Sequence, residues 1–172
     1  MIMAQKTLLL SPKEIELKIQ RLSNEVAEKY YDTKEIFMFG IEGQGVKLAG
    51  RIQKEYTTLT GKTARLFTLR INKQHPIGSV NIDKEVAEKI KTGHVLLIDD
   101  VLNSGKTLFY AMQAFVQVPL SSLRVLVLVN RNHLDYPVYP EFVGMTLSTT
   151  YQNYIEADLK NKSESQVYLL NK

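Results

Sequence analysis

The chain has 172 residues, enough for one folded domain with a sizeable core, and its 44% hydrophobic and 23% charged residues are ordinary for a soluble protein. It contains no cysteine, which excludes disulfides, thiolate metal sites and a cysteine nucleophile. The formal net charge of +4 at pH 7 suits anionic metabolites and does not by itself indicate nucleic acid. We therefore expect a single domain over residues 1–172.

The first residues carry an apolar run that Pro12 and nearby charges interrupt too early for a secretory signal. No stretch approaches the length of a membrane span, so we expect a cytoplasmic protein without a membrane partner. Ser11, Pro12 and Glu14 form a helix-start signature. Apolar residues then recur at helical spacing, namely Ile15, Ile19, Leu22, Val26 and Tyr30. This pattern predicts a packing helix that ends near residue 31.

A glycine-rich turn, GIEGQG, follows a predicted buried strand over residues 35–39 and precedes a predicted helix over residues 46–56. Its glycines are Gly40, Gly43 and Gly45, and such a turn lets backbone approach a ligand closely. Their spacing is G-x-x-G-x-G, whereas a Rossmann dinucleotide turn has G-x-G-x-x-G. The turn by itself is equally compatible with a ligand site and with a plain strand-to-helix connection.

A third strand is predicted over residues 64–71, followed by a polar, irregular segment over residues 72–83. An irregular segment of this length is either a solvated loop or a mobile flap over a site, and its length favours a functional flap. The charged sequence of residues 83–91 predicts a short helix, which leads into the central strand.

The central stretch, HVLLIDDVLNSGKTL, combines a buried strand over residues 94–98 with two acids, a tight loop and a helix that extends to about residue 115. Its loop has turn and N-cap chemistry, and backbone N–H groups with the hydroxyls of Ser104 and Thr107 can surround a phosphate. The acids Asp99 and Asp100 repel a bare phosphate. They therefore indicate a ligand that also carries hydroxyl groups or a divalent cation, and a sugar phosphate with Mg²⁺ meets both conditions.

The sequence Gly105-Lys106-Thr107 looks like the end of a P-loop, but that motif requires a glycine where this chain has Asp100. Further strands are predicted over residues 123–129, 142–145 and 166–170, with a polar loop over residues 148–153. Alternating strands and helices predict an α/β fold, a mostly parallel twisted sheet with helices on both faces. In such sheets ligands bind at the carboxyl ends of the strands, where these polar segments gather.

The motifs together resemble those of the type I phosphoribosyltransferases. The stretch from the central strand to Thr107 is similar to the family's motif for 5-phosphoribosyl 1-pyrophosphate, and the resemblance extends along most of the chain. Within the family it is greatest to the PyrR group, pyrimidine-operon attenuators that are also uracil phosphoribosyltransferases, through GIEGQG, DDVLNSGKT and VLVNRNHLDYPV. The tail over residues 140–159 also resembles hypoxanthine-type purine transferases.

This resemblance implies a fold with a flexible flap and a small C-terminal hood, and transfer of phosphoribosyl to a nucleobase with release of pyrophosphate. Uracil is the favoured base and a purine is the alternative. It implies that Asp99, Asp100 and Asn103 are catalytic, and that the two aspartates hold the ribose hydroxyls and bind Mg²⁺. For the remaining groups it implies a 5-phosphate loop of Asn103, Ser104, Gly105, Lys106 and Thr107, a pyrophosphate loop of Glu42, Gly43, Gln44 and Gly45, flap cations Arg70 and Lys73, and base contacts from Arg131 and Tyr151.

The chain departs from the family pattern at several positions. Glu42 and Gln44 stand where the PyrR type has basic residues, and a carboxylate beside a pyrophosphate is unfavourable unless a metal or the geometry relieves it. Asn103 stands where purine transferases have an aspartate thought to accept a proton from the base, which an amide cannot do at neutral pH. Lys106 replaces an arginine of the PyrR type but matches the purine enzymes.

Two other functions compete with the enzyme. A nucleotide-sensing, PyrR-like regulator with little or no catalysis would bind RNA through basic helix faces, for which the candidates are Lys18, Arg21, Lys47, Arg51 and Lys54, although such faces are usually just solvated. A Rossmann-type cofactor binder would rest on GIEGQG alone and leaves the acid pair unexplained. The family resemblance also implies a homo-oligomer, a dimer or higher.

Overall fold

The computed structural model describes residues 6–150 and 153–171. In chain order its elements are β1 (Lys6–Leu10), α1 (Pro12–Lys29), β2 (Glu35–Ile41), α2 (Gln44–Thr60), β3 (Thr63–Leu69), α3 (Lys84–Ile90), β4 (His94–Leu102), α4 (Lys106–Met112), a 3₁₀ turn (Gln113–Phe115), β5 (Ser122–Asn130), β6 (Phe142–Thr146), β7 (Asn153–Asp158) and β8 (Gln166–Asn171). Within these described ranges no helix is both long and apolar enough to cross a membrane.

The main sheet contains five parallel strands in the order β3-β2-β4-β5-β6. The chain runs outward from β2 to β3 on one side and from β4 through β5 to β6 on the other. The strand order therefore reverses between β2 and β4, and the crevice at their carboxyl ends is where open α/β sheets bind ligands. The predicted parallel sheet is confirmed.

Helices cover both faces of this sheet, as the alternating pattern predicted. On one face Leu22 of α1, Ile52 of α2 and Met38 of β2 belong to the same buried cluster. On the opposite face Leu108 of α4 belongs to the same cluster as Phe39 of β2. Residues of β2 alternate between the two clusters because successive strand residues point to opposite faces, which explains why this strand is apolar throughout.

The capping box that the sequence predicted for α1 is formed. The Ser11 backbone N–H donates to Glu14 Oε2 at 2.9 Å, and the Glu14 N–H donates to Ser11 Oγ at 3.4 Å. Helix α2 is longer than the predicted 46–56 and ends at Thr60, because Gly61 after it has a positive φ of 66° that terminates the helix. Strand β4 continues through both acids to Leu102 because its ladder with β5 extends to Asn130.

A second, antiparallel sheet with the order β1-β8-β7 joins the two ends of the described chain. Of its strands, the sequence predicted only β8. Strand β7 begins at the end of a segment that the sequence predicted to be a polar loop. The strand was not predicted because exposed Tyr154 and Glu156 alternate with buried Ile155 and Ala157, which gives only a weak apolar signal. Strand β7 contacts β4, so the small sheet lies against the carboxyl end of the central strand.

Candidate functional site

A cleft of about 370 Å³ lies at the carboxyl end of β4. One wall is continuous chain from Asp99 to Leu108, and the facing wall is the stretch of β7 from Tyr154 to Ala157. Lys73, from the segment between β3 and α3, closes a third side. The cleft thus brings together the predicted acid pair, the predicted phosphate loop and one predicted flap cation.

The Asp99 carboxylate is buried, with 4% of the residue exposed, whereas Asp100 is partly exposed. The Asp100 backbone N–H donates to Asp99 Oδ1 at 3.0 Å. Burial, followed by the charge of Asp100, raises the pKa of Asp99 well above its usual range, and the Lys73 ammonium acts in the opposite direction. Two adjacent carboxylates that repel each other in a cleft form a donor set that fits a hard divalent cation.

The described residues contain no group of three or more His, Cys, Asp or Glu side chains arranged to hold a metal. Asp99 and Asp100 would therefore supply only part of a coordination sphere. A cation at this position would take its remaining oxygen ligands from water or from a ligand bound in the cleft, as is usual for Mg²⁺ bound with phosphate compounds.

Gly45 brings the first turn of α2 directly against the acid pair. A Cβ on Gly45 would lie 2.9 Å from Asp99 Oδ1, closer than real Cβ atoms approach, and 3.0 Å from the Ile98 carbonyl oxygen. Only glycine permits this contact between α2 and β4. The contact lies at the point where the strand order reverses. The predicted pyrophosphate turn therefore adjoins the acids through Gly45.

The predicted phosphate loop connects β4 to α4, and all five of its residues line the cleft. Gly105 has a φ of +82°, and a Cβ there would lie 3.2 Å from the Tyr136 carbonyl oxygen. The Ser104 carbonyl accepts hydrogen bonds from the N–H groups of Asp135 and Tyr136 at 3.0 and 3.1 Å. The hydrogen bonds from Asp135 and Tyr136 thus fix the loop on the side away from the cleft, and residues 103–107 line the cleft on its other side.

Several polar groups of the turn between β2 and α2 are engaged in contacts with other parts of the protein. The Glu42 N–H donates to the Leu69 carbonyl at 3.0 Å, and its carboxylate pairs with Arg70 Nε at 3.1 Å. The Gln44 side-chain oxygen accepts from the Leu159 N–H at 2.9 Å, which ties this turn to the end of β7. Gly43, with a φ of +101°, precedes α2 and has open space where a Cβ would be.

The two predicted flap cations lie in different places. Arg70 is paired with Glu42 immediately after β3, and Lys73 lines the cleft. From Arg70 to Asp83 the chain forms neither helix nor strand, and Asn72 Oδ1 accepts two local N–H groups. Irregular backbone beside the cleft is compatible with the predicted flap, which stays a prediction.

Of the two predicted base contacts, Arg131 and Tyr151, the structure describes only Arg131. Arg131 donates from Nε to Thr149 Oγ1 and from a terminal nitrogen to the Thr150 carbonyl at 2.8 Å, so its guanidinium holds the segment before β7. Tyr151 lies outside the described residues. Sequence reasoning missed the β7 wall, including exposed Tyr154, and the alternation of polar and apolar residues over 153–158 was the available signal.

The candidate RNA-binding cations are largely engaged within the protein. Lys18 and Arg21 donate to the Gly144 carbonyl on the edge strand β6, at 3.2 and 2.7 Å. Arg51 bonds Glu16 and the Ser165 hydroxyl and is mostly buried. Two of the five candidates, Lys47 and Lys54, remain exposed on α2. These contacts stabilise the packing of α1 and α2, and RNA binding stays a prediction.

The chain matches the family described as "Phosphoribosyl transferase domain" over residues 7–160. It is 30% identical over 175 residues to "Bifunctional protein PyrR" of Oceanobacillus iheyensis, with 94% of this chain and 95% of the relative covered. It is 31% identical over 153 residues to the protein of the same name from Latilactobacillus sakei, with 84% and 86% covered.

Among solved structures, a hypoxanthine phosphoribosyltransferase of Trypanosoma cruzi superposes with a TM-score of 0.76 at 14% identity and covers 96% of each chain. A hypoxanthine-guanine phosphoribosyltransferase from Bacillus anthracis gives a TM-score of 0.69 at 13% identity, with 88% of this chain and 87% of that chain covered. These two likenesses establish the shared fold.

The chain therefore belongs to the phosphoribosyltransferase family, and it is an enzyme of the pentosyltransferase class. Within that family it is PyrR-like, since its similarity to the PyrR relatives extends along nearly the whole of both chains. The predicted type I phosphoribosyltransferase fold is confirmed by the five-stranded parallel sheet and by the structural neighbours.

Proposed function

We propose that the protein binds 5-phosphoribosyl 1-pyrophosphate with Mg²⁺ and transfers the phosphoribosyl group to a nucleobase, with uracil favoured over a purine, and releases pyrophosphate. The observation that carries this proposal is the single cleft in which Asp99, Asp100 and residues 103–107 face β7. This cleft combines acceptors for sugar hydroxyls with a phosphate loop. The preference for uracil rests on the similarity to proteins named PyrR.

In this proposal the 5-phosphate lies in the loop over residues 103–107, bound by backbone N–H groups, by the hydroxyls of Ser104 and Thr107, and by Lys106. The Asp99 and Asp100 carboxylates accept hydrogen bonds from the ribose hydroxyls. Mg²⁺, when bound, neutralises charge on the pyrophosphate and on the two carboxylates. The 5-phosphate and the ribose hydroxyls are thus held by adjacent parts of the cleft wall.

Catalysis then depends mainly on charge placement and on exclusion of water. The C1–pyrophosphate bond breaks early, so the sugar develops positive charge that the buried Asp99 and neighbouring Asp100 stabilise. Lys73 and the rest of the flap close over the departing pyrophosphate and shield the cationic sugar from water. Asn103 cannot accept a proton from the base, so its amide contributes by hydrogen bonding and orientation.

The test is release of pyrophosphate from phosphoribosyl pyrophosphate with Mg²⁺, measured with uracil, hypoxanthine, guanine, adenine and orotate in separate reactions. Release with uracil that is lost in Asp100→Asn supports the proposal. The matched control is Asp32→Asn, which removes an exposed carboxylate at the opposite end of the sheet beside the start of β4. Release with none of the five bases, from protein shown to be folded, would contradict it.

A further inference from the structure

The turn between β2 and α2 has an unusual charge for its proposed role beside a pyrophosphate. Glu42 is 55% exposed and its carboxylate is the only side-chain charge on the turn from Glu42 to Gly45. Asp99 lies immediately behind this turn, against Gly45. A pyrophosphate placed here meets the negative charge of Glu42, and like charges at short range repel even when partly solvated.

Arg70, a cation that contacts this turn, is already engaged. Arg70 Nε pairs with Glu42 Oε1 at 3.1 Å, and the pair bridges the ends of β2 and β3. A pyrophosphate that recruits Arg70 must therefore break this pair and leave the Glu42 carboxylate unneutralised beside it, whereas one that leaves the pair intact gains no cation from Arg70. The Glu42 N–H is also committed, because it donates to the Leu69 carbonyl.

A nucleoside 5′-monophosphate makes no such demand on the turn. Its single phosphate lies in the loop that contains Lys106 and Thr107, and its base replaces the pyrophosphate at C1. The acid pair accepts the same ribose hydroxyls in both ligands. Because a charge discriminates only through differential interaction, Glu42 affects the ligand that carries pyrophosphate and not the one that carries a base.

We propose that Glu42, paired with Arg70, makes this site select nucleoside 5′-monophosphates over 5-phosphoribosyl 1-pyrophosphate. The proposal rests on the proposed function, since it assumes that the cleft binds a phosphoribosyl group. It makes Glu42 a specificity-determining residue and makes the nucleotide the more tightly held partner of the reaction. The protein would then spend most of its time occupied by nucleotide when both ligands are present at equal concentration.

The chain contains a matched control for this pair. Glu35 and Arg65 form an equivalent exposed ion pair at 2.6 Å between the same two strands, at their opposite end. Replacement of Glu35 by glutamine removes the same charge from the protein, far from the cleft. A general effect on ligand affinity, from net charge or from a lost β2–β3 ion pair, therefore appears in both variants. An effect on affinity that is specific to the turn appears only in Glu42→Gln.

The experiment is titration calorimetry of parent, Glu42→Gln and Glu35→Gln with inorganic pyrophosphate, phosphoribosyl pyrophosphate, and the 5′-monophosphates of uridine, inosine, guanosine and adenosine, each with and without Mg²⁺. In the parent we expect at least one monophosphate to bind about tenfold more tightly than phosphoribosyl pyrophosphate. Glu42→Gln should strengthen binding of both pyrophosphate ligands by about tenfold. Its affinity for the monophosphate should stay within about twofold, and Glu35→Gln should match the parent throughout.

Three results would overturn the proposal. If Glu42→Gln binds pyrophosphate more weakly in the presence of Mg²⁺, then Glu42 is a cation ligand and favours pyrophosphate. If the parent binds phosphoribosyl pyrophosphate more tightly than every monophosphate, or if Glu42→Gln changes pyrophosphate binding no more than Glu35→Gln does, the selectivity assigned to Glu42 is wrong while the phosphoribosyl site stands. If folded parent binds none of these ligands, the selectivity and the proposed function both fail.

Discussion

Gly45 and Asp99 are in direct contact: a Cβ on Gly45 would lie 2.9 Å from Oδ1 of the Asp99 carboxylate. This contact joins the start of α2 to β4 across the point where the strand order reverses. It also determines where the buried carboxylate lies, because Gly45 forms one wall of the space that Asp99 occupies. The glycine is therefore required for the position of an acid that is 54 residues further along the chain.

Replacement of Gly45 by alanine is expected to displace Asp99 or α2, since the added methyl group meets the carboxylate and the Ile98 carbonyl together. We expect a loss of about 1–3 kcal/mol in the free energy of unfolding and a large loss of phosphoribosyl pyrophosphate binding. Gly50→Ala is the matched control within the same helix, because its nearest contact is Leu66 Cδ2 at 3.8 Å. It should stabilise the helix by about 0.5–1 kcal/mol. Equal effects of the two substitutions would contradict this account.

Asp100→Asn keeps the size of the side chain and removes a charge from the cleft. We expect the rate of pyrophosphate release to fall by about 10²–10³-fold, since the charge that stabilises the developing cationic sugar is lost. The melting temperature should not fall, because the substitution relieves repulsion with the buried Asp99. Steady-state kinetics and thermal unfolding on the same samples check both statements, and an undiminished rate would exclude Asp100 from the site.

Gly105→Val tests the phosphate loop by combining a strained φ of +82° with a Cβ that would lie 3.2 Å from the Tyr136 carbonyl. We expect phosphate-containing ligands to lose at least about tenfold in affinity, because the loop must shift to admit the side chain. Gly61→Val imposes similar backbone strain, at a φ of +66°, with open space around the Cβ. Calorimetry of both variants separates strain from loop geometry, and parent-like binding by Gly105→Val would refute the loop assignment.

Arg131→Met tests whether the guanidinium positions the segment before β7. The parent side chain holds the Thr149 hydroxyl and the Thr150 carbonyl, and methionine has a similar length without the hydrogen bonds. We expect the KM for the base to rise several-fold while the KM for phosphoribosyl pyrophosphate changes little, because only the base side of the cleft loosens. A rise in both KM values would instead indicate a general loss of structure, which thermal unfolding would reveal.

The sequence by itself determined the local units of this protein. The run from His94 to Leu108 predicted strand, acids, loop and helix because β-periodicity, turn residues and helical spacing are all encoded within a few neighbouring residues. The same holds for the capped start of α1, where Ser11 and Glu14 interact across one helical turn. These local signals, repeated along the chain, also indicated a parallel sheet with its ligand edge at the carboxyl ends.

Only the tertiary structure decided which of these units meet. The contact of Gly45 with Asp99, the pairing of Glu42 with Arg70 and the bond from Gln44 to Leu159 join residues far apart in sequence, and no local periodicity encodes them. Strand β7 was missed for a related reason. It lies in a small sheet with one face exposed, so half of its side chains are polar, and its conformation depends on pairing with β8 rather than on its own composition.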